Sequence, residues 1–400
     1  MTNRRNTNSA GAMEVFWTFL KLGLTSFGGP IAHLGYFRDE LVTRRRWLNE
    51  KAYGELVALC QFLPGPASSQ VGFALGLMRA GPLGAFAAWA AFTLPSALVL
   101  VLFATAVPAF DTPAGTGLLH GLKLVAVAVV THAVWGMAKS LTPDRTRVAI
   151  ALAAAFAVAF AGTFGQIVAI LSGALLGLTF CQRNGASDGE SVSFNVSKTV
   201  GTICLIMFVL LLLLLPIAAS MIQIPGIRLF DAFYRSGSLV FGGGHVVLPL
   251  LETETVQRGW LTDTAFLAGY GMAQAIPGPL FTFAAYLGAI INPTEYGLLG
   301  AMIGLIAIFL PGLLLLVGTL PYWNTLSRTP LAQAAMRGAN AAVVGVLGAA
   351  LYNPVWVSAV FSPVDFALVV TGFMLLNHWR MPPWTVVGLL AICGAFSQLL

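Results

Sequence analysis

The chain has 400 residues, 58% of them hydrophobic and 9% charged, with a net charge of +6. Soluble domains carry about 25% charged residues, so this composition excludes a soluble globular protein and predicts a polytopic membrane protein. The basic excess lies in short loops between apolar stretches and reads as a topology signal, with no nucleic-acid surface. The cysteines, Cys60, Cys181, Cys204 and Cys393, form no CxxC, so neither a metal site nor a disulfide framework is implied.

In chain order, residues 1–12 are polar and read as a disordered N-terminus without a signal-peptide cleavage site. A first unit, 13–182, opens with a short apolar segment, 13–28, that runs into Phe27-Gly28-Gly29-Pro30. A second broken segment, 52–79, is interrupted by Pro64-Gly65-Pro66. Four crossings follow at about 82–107, 117–138, 147–162 and 164–182, since a bilayer needs roughly 17–25 apolar residues. Residues 183–198 form a polar linker expected on the cytoplasmic side, and 199–222 a connecting transmembrane helix. A second unit, 223–400, repeats the order. It has broken segments 228–242 and 264–291, the latter cut by Pro277-Gly278-Pro279. Crossings follow near 296–320, 331–351, 355–376 and 382–399, with Asn353-Pro354 and Met381-Pro382 as expected helix starts.

The two units share spaced motifs. Trp47 and Trp260, Gln61 and Gln274, and Pro64 and Pro277 are each 213 residues apart, and Phe27 and Phe241 are 214 apart. Such a constant offset marks an internal duplication. Proline inside an apolar segment removes a backbone donor and breaks the helix. Broken backbone at membrane depth is tolerated only inside protein or along a cavity, so these segments read as re-entrant or discontinuous helices. The loop between the two breaks carries Arg38, Arg44, Arg45, Arg46 and Lys51 in the first unit but only Arg258 in the second. By the positive-inside rule the first loop is cytoplasmic and the second external. The predicted fold is therefore an all-α membrane protein of two inverted-topology repeats.

The breaks are the candidate substrate site. A helix starting after Pro66 would offer free N–H groups and a positive dipole end, with Ser68 and Ser69 as hydroxyl donors and Gln70 as an amide. This is an anion cradle, or a structural kink with serines capping their own helix. Gly28, Gly29 and Pro30, with Gly242 and Gly243 in the second copy, permit close backbone approach, for a ligand or for helix packing alone. His33 and His245 sit at or just after these breaks and could pair with an anion or carry a proton. Gln61, Gln274, Gly65, Gly278, Pro277 and Pro279 complete the repeated set. Arg38 is a candidate anion gate, and Lys123 is a cation near a span end that either snorkels or binds.

These residues carry a family resemblance. FGGPIAHLGYFRDELVTRRRWL with LCQFLPGPASSQVG, and the weaker FGGGHVVLPLL with QAIPGP, resemble the chromate ion transporter family in its long, two-domain form. The resemblance implies an inner-membrane carrier exporting chromate, with sulfate as the look-alike oxyanion, no cofactor, and the bilayer as partner; a homo-oligomer is left open. It also implies that Gly28, Gly29, Pro30, His33, Arg38, Pro64, Gly65 and Pro66 matter for transport. The second copy departs from the pattern at Gly244, where the first has proline. Export of a dianion from a negative-inside cell gains roughly 4.6 kcal/mol per 100 mV. The rival class, a membrane-embedded enzyme, lacks paired carboxylates, a metal cluster or an activated nucleophile within the apolar segments.

Overall fold

Proline, glycine and short polar caps set where the helices of this chain start and stop. The computed structural model describes residues 3–106, 112–161, 165–181, 196–222, 224–241, 244–291, 297–323 and 329–397. Among them are sixteen α-helices and no strand. They are α1 Asn3–Thr25, α2 Gly29–Phe37, α3 Glu50–Phe62, α4 Ala67–Ala106, α5 Pro113–Leu141, α6 Arg145–Ala161, α7 Gly165–Phe180, α8 Lys198–Met221, α9 Pro225–Ser238, α10 Val247–Thr255, α11 Asp263–Ala275, α12 Phe283–Ile291, α13 Gly297–Thr319, α14 Pro330–Ala350, α15 Pro363–Asn377 and α16 Pro383–Ser397. A π-helical turn, Arg38–Arg44, continues α2. α1 begins at Asn3, so the helix extends into the stretch expected to be disordered; all but three residues of the expected linker lie outside the described residues.

The two arms that lead into the Pro-Gly-Pro breaks are capped alike. Asn49 accepts the Ala52 N–H ahead of α3, and Thr262 accepts the Ala265 N–H ahead of α11. Each such cap stabilises a helix start by about 1 kcal/mol. α4 is itself broken at Ala80–Gly81, where Gly81 has φ +64°. Its first segment returns toward the side from which α3 came: Arg79 pairs with Glu14 at 3.0 Å and lies over the Trp47 ring. In the second half, Tyr286 of α12 donates to the Ala265 carbonyl at the start of α11. Both broken segments are therefore hairpins, as the proline positions predict.

Among the described residues, five helices are long and apolar enough to cross a membrane: α4, α5, α8, α13 with the turn to Tyr322, and α14 with the turn to Trp356. Helices α6, α7, α15 and α16 have 15–17 residues, or about 23–26 Å at 1.5 Å per residue, shorter than a bilayer core of roughly 30 Å. The crossing expected to start near 355 begins instead at Pro363. Pro354 pushes Asn353 into extended backbone (φ −128°, ψ 115°), and Ser362 with Asp365 forms a capping box that restarts the helix.

The long helices exchange partners between halves. α5 packs against α15 and α16, and α14 packs against α6 and α7. The contacts are glycine-mediated: Gly121 of α5 lies on Gly394 of α16, and Gly338 of α14 lies on Gly177 of α7. Both residues of the second pair have their counterpart 217 positions away in the first. Any Cβ at these positions would strike a neighbouring backbone, the small-residue contact typical of membrane helices. Among the described residues, α8 packs mainly on α9, α13 and the turn that follows α13, and most of its length is exposed.

Candidate functional site

Four broken backbone segments meet where the two halves cross. After α1, Gly28 (φ +98°) and Gly29 (φ +79°) turn the chain into α2. After α3, Gly65 (φ +121°) turns it into α4, and after α11, Gly278 (φ +104°) turns it into a 3₁₀ turn, Leu280–Thr282, ahead of α12. The fourth segment follows Phe241; Gly242 and Gly243 lie outside the described residues, and the chain resumes in a 3₁₀ turn from Gly244 that leads into α10.

Two reciprocal hydrogen bonds join these segments. The Gly65 N–H donates to the Val240 carbonyl at 2.8 Å, and the Gly278 N–H donates to the Ser26 carbonyl at 3.0 Å. Each Pro-Gly-Pro glycine thus binds the residue just before the other half's Phe-Gly-Gly. Gly65 lies against Gly312 of α13, and Gly278 against Ser96 of α4. Gly244 abuts Pro30, and His245 Nε2 approaches Gly29. The crossing therefore gathers the N-terminal ends of α2 and α4 and of the turns leading into α10 and α12, each a positive dipole end.

Side chains there are short of partners. His33 is fully buried; its Nδ1 lies 3.3 Å from Ser68 Oγ and its ring meets Phe92 edge-on at 5.3 Å. Its Nε2, together with Ser26 Oγ, Ser69 Oγ and Thr93 Oγ1, is buried with no hydrogen-bond partner among the described residues. Roughly 90% or more of buried polar groups find a partner, so these four groups able to donate, one just after α1, one on α2 and two on α4, are available to a bound acceptor near the breaks. On the other side, His245 Nδ1 is 2.8 Å from the Tyr270 hydroxyl, and Gln274 Nε2, His132 Nδ1 and Asn340 Oδ1 are likewise buried and unpartnered.

Gln70 has a different role from the one expected. Its amide nitrogen donates to the Pro64 carbonyl (3.0 Å) and the Gly312 carbonyl (2.9 Å), so it pins the break instead of offering a donor; only its Oε1, an acceptor, is free. Ser69 does not cap its own helix, since its hydroxyl has no partner.

Of the sequence-predicted residues, Gly28, Gly29, Pro30, His33, Pro64, Gly65, Pro66, Ser68, Ser69, His245, Gln274, Pro277, Gly278 and Pro279 lie on the segments of the crossing. Gln61 is exposed on α3. Arg38 is exposed and donates through Nε to both Glu50 oxygens (3.1 and 2.8 Å), a bond that holds Glu50 below the usual carboxylate range. Lys123 lies apart, on an open cavity of about 590 Å³ with His120, Thr264 and Asp365. Its Nζ donates to the Ser358 carbonyl at 3.0 Å and sits over the Phe361 ring, and among the described residues no carboxylate lies within salt-bridge reach. His120 Nε2 lies 2.8 Å from Asp365 Oδ1. Sequence reading missed this His–Asp pair; its one available signal was the cap pattern Ser362-Pro363-x-Asp365.

The chromate transporter profile matches residues 13–178 and 227–395, one match in each half. The chain belongs to the chromate transporter family. Among relatives, it is 27% identical over 386 residues to the chromate transport protein of Pseudomonas aeruginosa, covering 94% of this chain and 90% of that one. It is 29% identical over 388 residues to a probable chromate transport protein of Synechococcus elongatus, covering 94% and 93%. The uncharacterized transporter YwrB of Bacillus subtilis is 32% identical over 176 residues, which is 41% of this chain but 84% of YwrB. No solved structure matches. As a chromate transporter family member with five helices long and apolar enough to span, the chain is a multi-pass membrane protein.

Proposed function

We propose that this protein is a secondary transporter that exports chromate across the inner membrane and thereby confers resistance to it. The observation that carries the reading is the crossing: four helix starts and a set of buried, unpaired groups able to donate gathered on broken backbone. A tetrahedral dianion offers only acceptors, which such a set complements. Discontinuous helices meeting at a repeat interface are where secondary transporters bind their cargo. The names of two relatives, a chromate transport protein and a probable one, support chromate as the oxyanion. The loop charges support opposed orientation of the halves, and rocking of one against the other would carry the site from face to face.

The Lys123 cavity is proposed as the external mouth of the path, its ammonium attracting an anion while Asp365, which lines the same cavity, is bonded to His120. Lys123→Gln is expected to lower the apparent affinity for chromate at that face several-fold, on the scale of about 1 kcal/mol for a partly screened charge, with maximal flux little changed. Initial rates against chromate concentration check this.

The function itself is tested by labelled chromate flux in everted inner-membrane vesicles under an imposed potential, with and without excess sulfate. Uptake that rises when the vesicle interior is positive supports potential-driven export, and sulfate competition sets the selectivity. Tight vesicles holding the protein but giving no chromate flux would overturn the reading.

A further inference from the structure

The duplication also contains an ionic cluster that no local motif reveals. In the first half, Glu40 of the π turn accepts Lys21 of α1 at 3.5 Å and Arg44 at 3.3 Å on the same oxygen, Oε2. In the second half, Glu254 of α10 accepts Arg235 of α9 at 2.9 Å and Arg258 at 2.7 Å, again on one Oε2. Lys21 and Arg235, Glu40 and Glu254, and Arg44 and Arg258 are each 214 residues apart, the offset of Phe27 and Phe241. The two halves have thus kept the same cation–carboxylate–cation triad although most of the intervening residues differ.

Each triad ties the arm that ends at Ser26 or at Val240, the tip of that half, to the arm that follows it. Lys21 lies five residues before Ser26, and Arg235 five before Val240, the two residues whose carbonyls accept the crossing bonds. The carboxylates are largely buried (side chains 10% and 13% exposed), whereas the cations reach outward at 57% and 70% in the first triad and 22% and 37% in the second. A largely buried carboxylate without its cations would be costly, so losing the pairing costs more than losing an exposed pair. The surroundings are not identical. Arg45 adds a bond to Glu40 and reaches Glu14, and Asp231 adds one to Arg235.

We infer that Glu40 and Glu254 are equivalent positioning residues for transport, each holding one tip at the crossing and closing the path from its own face of the membrane. This rests on the opposed orientation of the halves, not on which ion is carried.

The test uses full-length protein whose native cysteines have been replaced and which still transports. Lys51→Cys and Gln257→Cys, both exposed, report which face each triad occupies. Ser26→Cys and Val240→Cys, both buried, report the tips. With an impermeant thiol reagent, Glu40→Gln should speed labelling of Ser26→Cys from the Lys51 face alone. Glu254→Gln should speed that of Val240→Cys from the Gln257 face alone. The expected change is about tenfold, equivalent to about 1.4 kcal/mol. Glu40→Asp, which keeps the charge, should leave the tip closed. Arg44→Gln and Arg258→Gln serve if the Glu variants do not insert. Unchanged tip labelling, both tips opening with either variant, or both opening from one face would overturn the inference. Lys51 and Gln257 reacting from the same face would overturn the opposed orientation itself, irrespective of any result with chromate.

Discussion

Gly65→Ala is expected to abolish chromate transport and to destabilise the protein. Gly65 has φ +121°, a region that costs a side-chain-bearing residue about 1–3 kcal/mol. A Cβ there would lie 2.9 Å from Gly312 Cα and 3.0 Å from the Gln70 amide nitrogen, and backbone on one side cannot yield cheaply. Overpacking of this kind adds a further 1–3 kcal/mol. The strain falls on the bond from Gly65 to Val240 and on the Gln70 bonds that pin the break, so the crossing opens. Flux at least roughly a hundredfold below wild type, with a lower melting temperature in detergent, is the expected result. Gly54→Ala is the control: nothing lies within 4 Å of the added methyl group, and it should transport normally. Wild-type flux in Gly65→Ala would mean that the crossing is not needed for transport.

Ser69→Ala is expected to separate stability from function. Its hydroxyl is buried, and no group among the described residues is bonded to it. Removing an unsatisfied buried hydroxyl costs no protein hydrogen bond and relieves its desolvation, so stability should hold or rise by about 1 kcal/mol. If the hydroxyl donates to a bound oxyanion, the charge-assisted bond is worth about 1.5–3 kcal/mol. Affinity for chromate should then fall roughly ten- to hundredfold. Thermal melting and flux measured on the same preparation check both signs. A variant with unchanged transport would remove Ser69 from the cradle. Ser68→Ala is the contrast, because it also deletes the contact with His33 and should lose some stability as well.

The residues that were legible in the sequence are those whose effect is local. Prolines 64, 66, 277 and 279 come in closely spaced Pro-Gly-Pro pairs that end one helix before the next begins, so the breaks could be placed without coordinates. The repeated tryptophans and prolines could be aligned at a constant offset, and Ser68, Ser69 and His33 stood out as polar residues beside a break. What escaped depends on distant partners. The amide of Gln70 looked free because the Gly312 carbonyl lies 242 residues away in the chain. The triads were hidden because lysine in one copy is arginine in the other, and their members are spread over more than twenty residues. The restart of α15 at Ser362 was missed because an apolar run shows no periodic sign of the extended backbone at Asn353.

The exchange of long helices bears on how the protein is made. α5 meets α15 and α16 only after the ribosome has added more than two hundred further residues, on the order of ten seconds or more at typical elongation rates. Until then His120 lacks Asp365 and Lys123 lacks the Ser358 carbonyl, so a helix bearing an unsatisfied cation waits in the bilayer. The packing of α5 is therefore completed late, by the last two helices. A message truncated anywhere before residue 358 would yield an inserted but unfinished chain, recognisable to membrane proteolysis by the polar groups it leaves unmet.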